Sequence, residues 1–166
     1  MHQIKGGHQV RIATPEDIQC LPQLETAADQ LLERELGSAS LPPAATAPAG
    51  ESLFVLVAGK PPLGFARVDE VDGQAHLEQL SVHPGAARRG IGRSLLEAAI
   101  REARRLGFGA MTLCTYADIP FNASFYSTCG FEVFQDPGPE LAALRIHENK
   151  MGPDRFGRRV SMRIRL

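Results

Sequence analysis

Between Ser81 and Arg105 the chain reads SVHPGAARRGIGRSLLEAAIREARR, and few folds accommodate such a run. A strand ends near Val82. A loop carrying Arg88, Arg89, Gly90, Gly92 and Arg93 follows, and a helix starts at once, at Gly90 or Ile91. Ile91, Leu95, Ala98, Ala99, Ala103 and Leu106 give that helix one apolar face. Arg104 and Arg105 occupy its last turn, and Gly107 is placed to end it. Glycines let a ligand come close to the backbone. Amides at a helix start have no intrahelical partner and carry the positive end of the dipole. With arginines added, the combination describes an anion site suited to phosphate. The competing reading is a tight strand-to-helix turn with solvated arginines. The loop is not a Walker A loop, because no Gly-Lys-Ser/Thr follows at the required spacing. It is not the full dinucleotide fingerprint either, since Leu95 stands where the third glycine belongs.

The 166 residues predict one domain, residues 1–166, with a core that needs no staples. A net charge of −1 argues against nucleic acid as a partner, so the arginines of the loop need a local one. Cys20, Cys114 and Cys129 are odd in number and form no CxxC pair. They fit buried thiols in a reducing, cytoplasmic setting. No apolar run predicts a signal segment or a membrane span. His147-Glu148 lacks the second histidine of an HExxH zinc motif, because position 151 is Met, so no metal site is expected.

In chain order, Gln9–Ala13 reads as a short strand. Thr14-Pro15-Glu16-Asp17 reads as a helix start, with Pro22 expected to kink or split the helix. Gly37 to Gly50, rich in Ala, Pro and Ser, reads as a loop, either a connector or a flap over an acceptor site. Leu53–Ala58 and Leu63–Val71 read as strands. Asp72-Gly73 suits a type I′ hairpin turn into a fourth strand, Gln74–His83. That strand changes phase: Ala75 and Leu77 are apolar at odd positions, Leu80 and Val82 at even ones. One extra residue at Glu78 or Gln79 restores the alternation, which predicts a β-bulge there. Ala110–Thr115 is a strand reached by a right-handed parallel crossover. Pro120–Cys129 is a short helix stopped by Gly130, with Asn122 and Tyr126 on one face. A strand at Phe131–Gln135, a helix at Pro139–Lys150 and a strand at Val160–Arg165 complete the chain. Arg155, Arg158, Arg159, Arg163 and Arg165 read as strand and surface, not as a nucleic-acid arm.

Two segments, LSVHPGAARRGIGRSLL (Leu80–Leu96) and FNASFYSTCGF (Phe121–Phe131), resemble the Gcn5-related N-acetyltransferase (GNAT) superfamily in sequence and separation. One position departs from the family pattern: Ala87 stands where the loop usually carries Gln or Arg. The resemblance implies an α/β (α+β) fold. Its central sheet would be mixed and mostly antiparallel, of about six to seven strands, with helices on both faces and the bulge in the fourth strand.

The resemblance further implies acetyl-CoA as co-substrate. Leu80 and Val82 would offer backbone groups to the pantetheine arm, and the amides from Arg88 to Arg93 would hold the pyrophosphate. The implied cofactor-binding set is Leu80, Ser81, Val82, Arg88, Arg89, Gly90, Ile91, Gly92, Arg93, Ser94, Asn122 and Tyr126. Tyr126 is the candidate general acid for the leaving thiolate; otherwise it is a core tyrosine. Asn122 either binds the cofactor arm or caps its own helix. The resemblance makes Glu78 the general base; otherwise it is a salt-bridged carboxylate. His76 and His83 are weaker base candidates, and His83 beside Pro84 suits a turn. The reaction implied is direct transfer of an acetyl group to a primary amine of a small molecule or peptide. No membrane or nucleic-acid partner is expected, and the resemblance admits a homodimer. The alternatives are an acyl-CoA-binding sensor on the same fold and a nucleotide-binding regulator.

Overall fold

The computed structural model describes residues 2–3, 9–36, 52–117, 122–150 and 159–166. The Gly37–Gly50 loop, Pro120 and Phe121 at the expected start of the short helix, and Arg155 and Arg158 lie outside them. The elements are β1 (His2–Gln3), β2 (Gln9–Ile12), α1 (Pro15–Leu36), β3 (Phe54–Ala58), β4 (Gly64–Val71) and β5 (Gln74–Val82). After them come a 3₁₀ turn (Pro84–Ala86), α2 (Ile91–Arg105), β6 (Ala110–Tyr116), α3 (Ala123–Thr128), β7 (Glu132–Val133), α4 (Pro139–Lys150) and β8 (Arg159–Arg165). Among the described residues these strands form one sheet in the order β1-β2-β3-β4-β5-β6-β8-β7. Only the β5–β6 pairing is parallel, as the crossover through α2 requires. The six long strands and the two-residue β7 are the six to seven expected; β1 is an addition.

Local chemistry explains the element ends. Thr14 and Asp17 form a reciprocal cap on α1: Asp17 Oδ2 accepts from Thr14 N at 2.8 Å, and Thr14 Oγ1 accepts from Asp17 N at 3.3 Å. Arg11 clamps the same carboxylate with Nη1 and Nη2 of its guanidinium. Pro22 does not split α1, which continues to Leu36. A proline there removes one i−4 hydrogen bond, and the burial of Leu21 and Leu24 on either side of it holds the helix together. Asp72 (φ 53°) and Gly73 (φ 70°) both adopt left-handed backbone, as a type I′ turn demands.

The sheet is covered on two faces, and the alternation of β3 shows how. Phe54, Leu56 and Ala58 join the large core with Ile91, Leu95, Ala99 and Ala103 of α2. Val55 and Val57 point the other way and meet Leu21 and Leu24 of α1, together with Phe65. This double burial accounts for the unbroken apolar run. Gly64 lets α2 sit close: a Cβ there would come within 3.0 Å of Ile91 Cγ2 and Leu95 Cδ1. Leu96 and Ile100 complete the buried face of α2, whereas Leu106, one residue past the helix, is exposed. The expectation of three buried thiols is corrected. Cys20 is exposed, and Cys114 and Cys129 are partly exposed. Cys20 lies off the α1 stripe that Leu21 and Leu24 bury. Among the described residues no helix is long and apolar enough to cross a membrane.

Candidate functional site

The bulge lies where the phase change puts it. Arg67 pairs with Gln79 and the next residue, Val68, pairs with Leu77, so Glu78 is the extra residue of β5 at the register shift. Pairing of β5 to β6 covers only Ala75–Met111, His76–Thr112 and Leu77–Leu113. Beyond the bulge the two strands part. His83 N donates to Leu63 O at 2.7 Å, so by alternation the backbone groups of Ser81 and Gln79 also face β4. Those of Leu80 and Val82 then face the opening towards β6. Ser81 itself is buried, and its hydroxyl accepts from Gln79 Nε2 at 2.7 Å.

The loop beside this opening presents amides. His83 behaves as a turn residue: its Nδ1 accepts from Gly85 N at 3.0 Å. Arg88 (φ 62°) and Gly90 (φ 79°) are left-handed on either side of Arg89, a conformation that costs an arginine about 1 kcal/mol or more. The first helical bond runs from Ser94 N to Gly90 O, 3.0 Å. The N–H groups of Ile91, Gly92 and Arg93 therefore have no intrahelical acceptor, and the exposed Arg88 and Arg89 side chains flank them. Ser94 has only its hydroxyl left to offer. A Cβ on Gly92 would meet nothing nearer than Val82 Cγ2 at 3.7 Å, so the fold's own packing does not require glycine there. The Arg93 side chain is engaged elsewhere. It donates to Thr128 Oγ1 at 2.9 Å and lies over the Phe125 ring, fastening α3 to the start of α2.

That fastening positions Tyr126. The ring is half-buried against the α2-side core, edge-on to Phe125 and Phe131 with centroids 5.2 and 5.9 Å away. Burial, with Cys129 adding to it, pushes its phenol above the ordinary value, so the hydroxyl keeps its proton at any physiological pH. Asn122 occupies the N-cap position of α3 but makes no side-chain cap bond; its carbonyl accepts from Tyr126 N at 3.1 Å.

Glu78 stands on the other face. Its Oε1 is 3.8 Å from Arg67 Nη2 and its Oε2 is 3.6 Å from His76 Nε2. Arg67 follows the α1-facing Phe65 by two residues, and His76 lies between Ala75 and Leu77, which face α2. Both therefore project towards α1. Glu25 on α1 belongs to the same electrostatic group. Burial pushes its carboxyl up to about 7, Asp29 adds to the rise and Arg67 opposes it. Tyr126 and Glu78 thus belong to opposite faces of the sheet, Tyr126 packed against the α2-side core and Glu78 among the groups that face α1.

Arg67, Glu25 and Thr112 were not singled out by sequence reasoning. An arginine or threonine inside a strand carries no motif; cross-strand register sets Arg67 near Glu78 and Thr112 beside His76, and Glu25 reaches Arg67 from α1.

The sequence matches the model of the Acetyltransferase (GNAT) family over residues 16–131. Solved structures share the fold. The PaiA N-acetyltransferase from Thermoplasma acidophilum, in complex with coenzyme A, superposes with a TM-score of 0.69 at 15% identity, covering 96% of this chain and 99% of that one. The ribosomal-protein-S18-alanine N-acetyltransferase from Escherichia coli gives 0.63 at 19% identity, covering 95% and 93%. N-acetylglutamate synthase from Neisseria gonorrhoeae, complexed with coenzyme A and N-acetyl-glutamate, gives 0.71 at 18% identity, covering 98% of this chain and 36% of that one. At these identities the likeness is one of fold.

Proposed function

Because this chain belongs to the acetyltransferase (GNAT) family, we propose that it is an acetyl-CoA-dependent N-acetyltransferase that moves the acetyl group directly to a primary amine. One observation carries this reading. The bulge at Glu78 ends the pairing of β5 with β6 close to a helix start, at Ile91 to Arg93, whose amides have no intrahelical acceptor. The free N–H groups of Ile91, Gly92 and Arg93 suit a pyrophosphate. The outward backbone groups of Leu80 and Val82 suit the amides of a pantetheine arm, which would lie against β5 as an added strand does.

The chemistry then divides between the two faces. On the α1 face Glu78, directly or through a water, takes a proton from the incoming ammonium and frees its lone pair. The amine nitrogen attacks the thioester carbonyl carbon, the C–S bond breaks, and the sulfur leaves with the bonding pair. On the α2 face Tyr126 gives that sulfur its proton, the second proton leaves the nitrogen to water, and the phenol is reprotonated from solvent, so one proton is released overall. The amide product keeps the acetyl group and free CoA carries the thiol. No acyl-enzyme is needed, and holding the two reactants in line supplies much of the rate. Residues 1–166 act in this reading as one acyltransferase domain.

Among the similar structures one is named for a protein alanine and another is complexed with N-acetyl-glutamate, so a shared fold leaves the acceptor open. The test is to mix purified protein with acetyl-CoA and a broad panel of amines and peptides, following free thiol and product mass. Thiol release coupled to a new acetyl-amine supports the enzyme. Binding of acetyl-CoA without release for any amine favours the acyl-CoA sensor.

A further inference from the structure

The face that carries Glu78 also buries an imidazole. His76 is 2% exposed and Thr112, opposite it on β6, is 6% exposed. His76 Nδ1 lies 2.8 Å from Thr112 Oγ1, and Nε2 looks towards Glu78 Oε2 at 3.6 Å. We propose that His76 is a positioning residue for Glu78: Thr112 donates its hydroxyl proton to Nδ1, which fixes the neutral ring in its Nε2–H form, and that N–H orients the Glu78 carboxylate and favours its ionised state. The inference rests on the reading of Glu78 as the base and names what holds that base in place.

Hydrogen-bond accounting selects the tautomer. With the proton on Nδ1, the ring would donate to Thr112. The buried threonine proton would then have no acceptor among the described residues, and an imidazole lone pair would face a carboxylate. Each is unfavourable. With the proton on Nε2, the Thr112 hydroxyl has the Nδ1 lone pair as its acceptor, and the Nε2–H dipole points its positive end at Glu78, 3.6 Å away. Burial pushes the imidazole down to about 4; Arg159 lowers it further and Asp72 opposes. The ring is therefore neutral across the physiological range and acts as a fixed dipole rather than a second charge. The other charged groups around the pair are Arg67 on β4, 3.8 Å from Glu78 and 3.6 Å from Asp69, and Glu25 with Asp29 on α1, which reach the cluster through Arg67. Arg67 lies on the Oε1 side of the carboxylate and His76 on the Oε2 side, so the two flank it.

The test follows Glu78 directly. Carboxyl-carbon NMR of protein labelled at glutamate gives the Glu78 titration, assigned by its loss in Glu78→Gln. His76→Asn keeps a group near Nδ1 but none near Nε2, and His76→Gln restores an N–H near Nε2. The expected result is a Glu78 midpoint raised by about 0.5–1 pH unit in His76→Asn and returned to the wild-type value in His76→Gln. An unchanged midpoint in His76→Asn, or equal shifts in both variants, overturns the proposal. Turnover of Glu78→Gln tests the base reading separately. Full activity there removes the catalytic meaning of the pair, whatever the titration shows. Should neither His76 variant fold, ¹⁵N-imidazole spectra of the intact protein decide. A neutral Nε2–H ring at pH 7 supports the assignment, and an Nδ1–H ring or an imidazolium overturns it.

Discussion

Asp72 and Glu140 cap one another across the fold. The Asp72 carboxylate, in the turn between β4 and β5, accepts from Glu140 N at 2.8 Å and from Leu141 N at 3.0 Å, and the Glu140 carboxylate accepts from Asp72 N in return. This is a capping box whose two halves lie 68 residues apart. It ties the start of α4 to the hairpin that leads into Glu78. Gly138 makes room for it, because a Cβ there would stand 2.5 Å from the Asp72 carboxylate.

Removing the cap while sparing the left-handed turn is the cleanest test. Asp72→Gly should cost about 0.5–1.5 kcal/mol in urea unfolding, with faster amide exchange at Glu140 and Leu141. Asp72→Asn, which tolerates the same backbone and keeps one acceptor, should cost less. Gly138→Ala should destabilise although it removes no contact. Equal stability of all three variants with wild type would show that α4 is held by other means.

Tyr126→Phe should leave CoA affinity close to wild type and lower kcat by about 10²–10⁴, the usual scale for an acid–base group. Single-turnover thiol release beside a CoA titration separates the two effects. Full turnover with unchanged CoA binding would remove the acid role.

Gly92 separates ligand space from protein space. Its φ is not in the left-handed region and its surroundings admit a methyl. Gly92→Ala should therefore keep or raise stability, by up to about 1 kcal/mol for a helix position. It should weaken CoA binding, because the methyl enters the space read here as the pyrophosphate seat. Calorimetric titration with CoA and a thermal melt on the same sample give both numbers.

Asp17 predicts the acid limb of stability. Hydrogen bonds from Arg11 hold its carboxyl well below the usual range, Thr14 helps, and burial opposes. The folded value lies below the unfolded one, so this contribution is complete above about pH 4 and fades as pH falls further. Melting temperature should be flat in this respect from pH 7 to 5 and drop below about 4. Asp17→Asn should lose about 1.5–3 kcal/mol at neutral pH and flatten the drop. An Asp17→Asn acid profile parallel to wild type would assign the limb to other carboxylates.

Whatever the residues encode locally was legible beforehand. The odd-to-even slip between Leu77 and Leu80 located the bulge, Asp72-Gly73 its hairpin, and the α2 pattern its buried face. The amides of Ile91 to Arg93 without intrahelical acceptors were legible too, because such amides belong to any helix start. What could not be read depends on register between distant strands. The Arg93 side chain looked like a ligand for phosphate, yet it grips Thr128, 35 residues away. The same holds for His76 with Thr112 and for Arg67 with Glu78, which no spacing announces. The expected burial of Cys20 failed for a simpler reason: composition does not say which side of a helix a thiol is on.

The extra residue in β5 can be considered by its removal. Deleting Glu78 would leave Ala75, Leu77, Gln79's neighbour Leu80 and Val82 in strict alternation, free to continue their ladder along β6. Such a chain should be a better sheet former, with more backbone bonds made and no opening to fill. It would also have lost its carboxylate and its entry in one step. Regular pairing and chemistry are alternatives at this position, and a single insertion in a strand is enough to exchange one for the other.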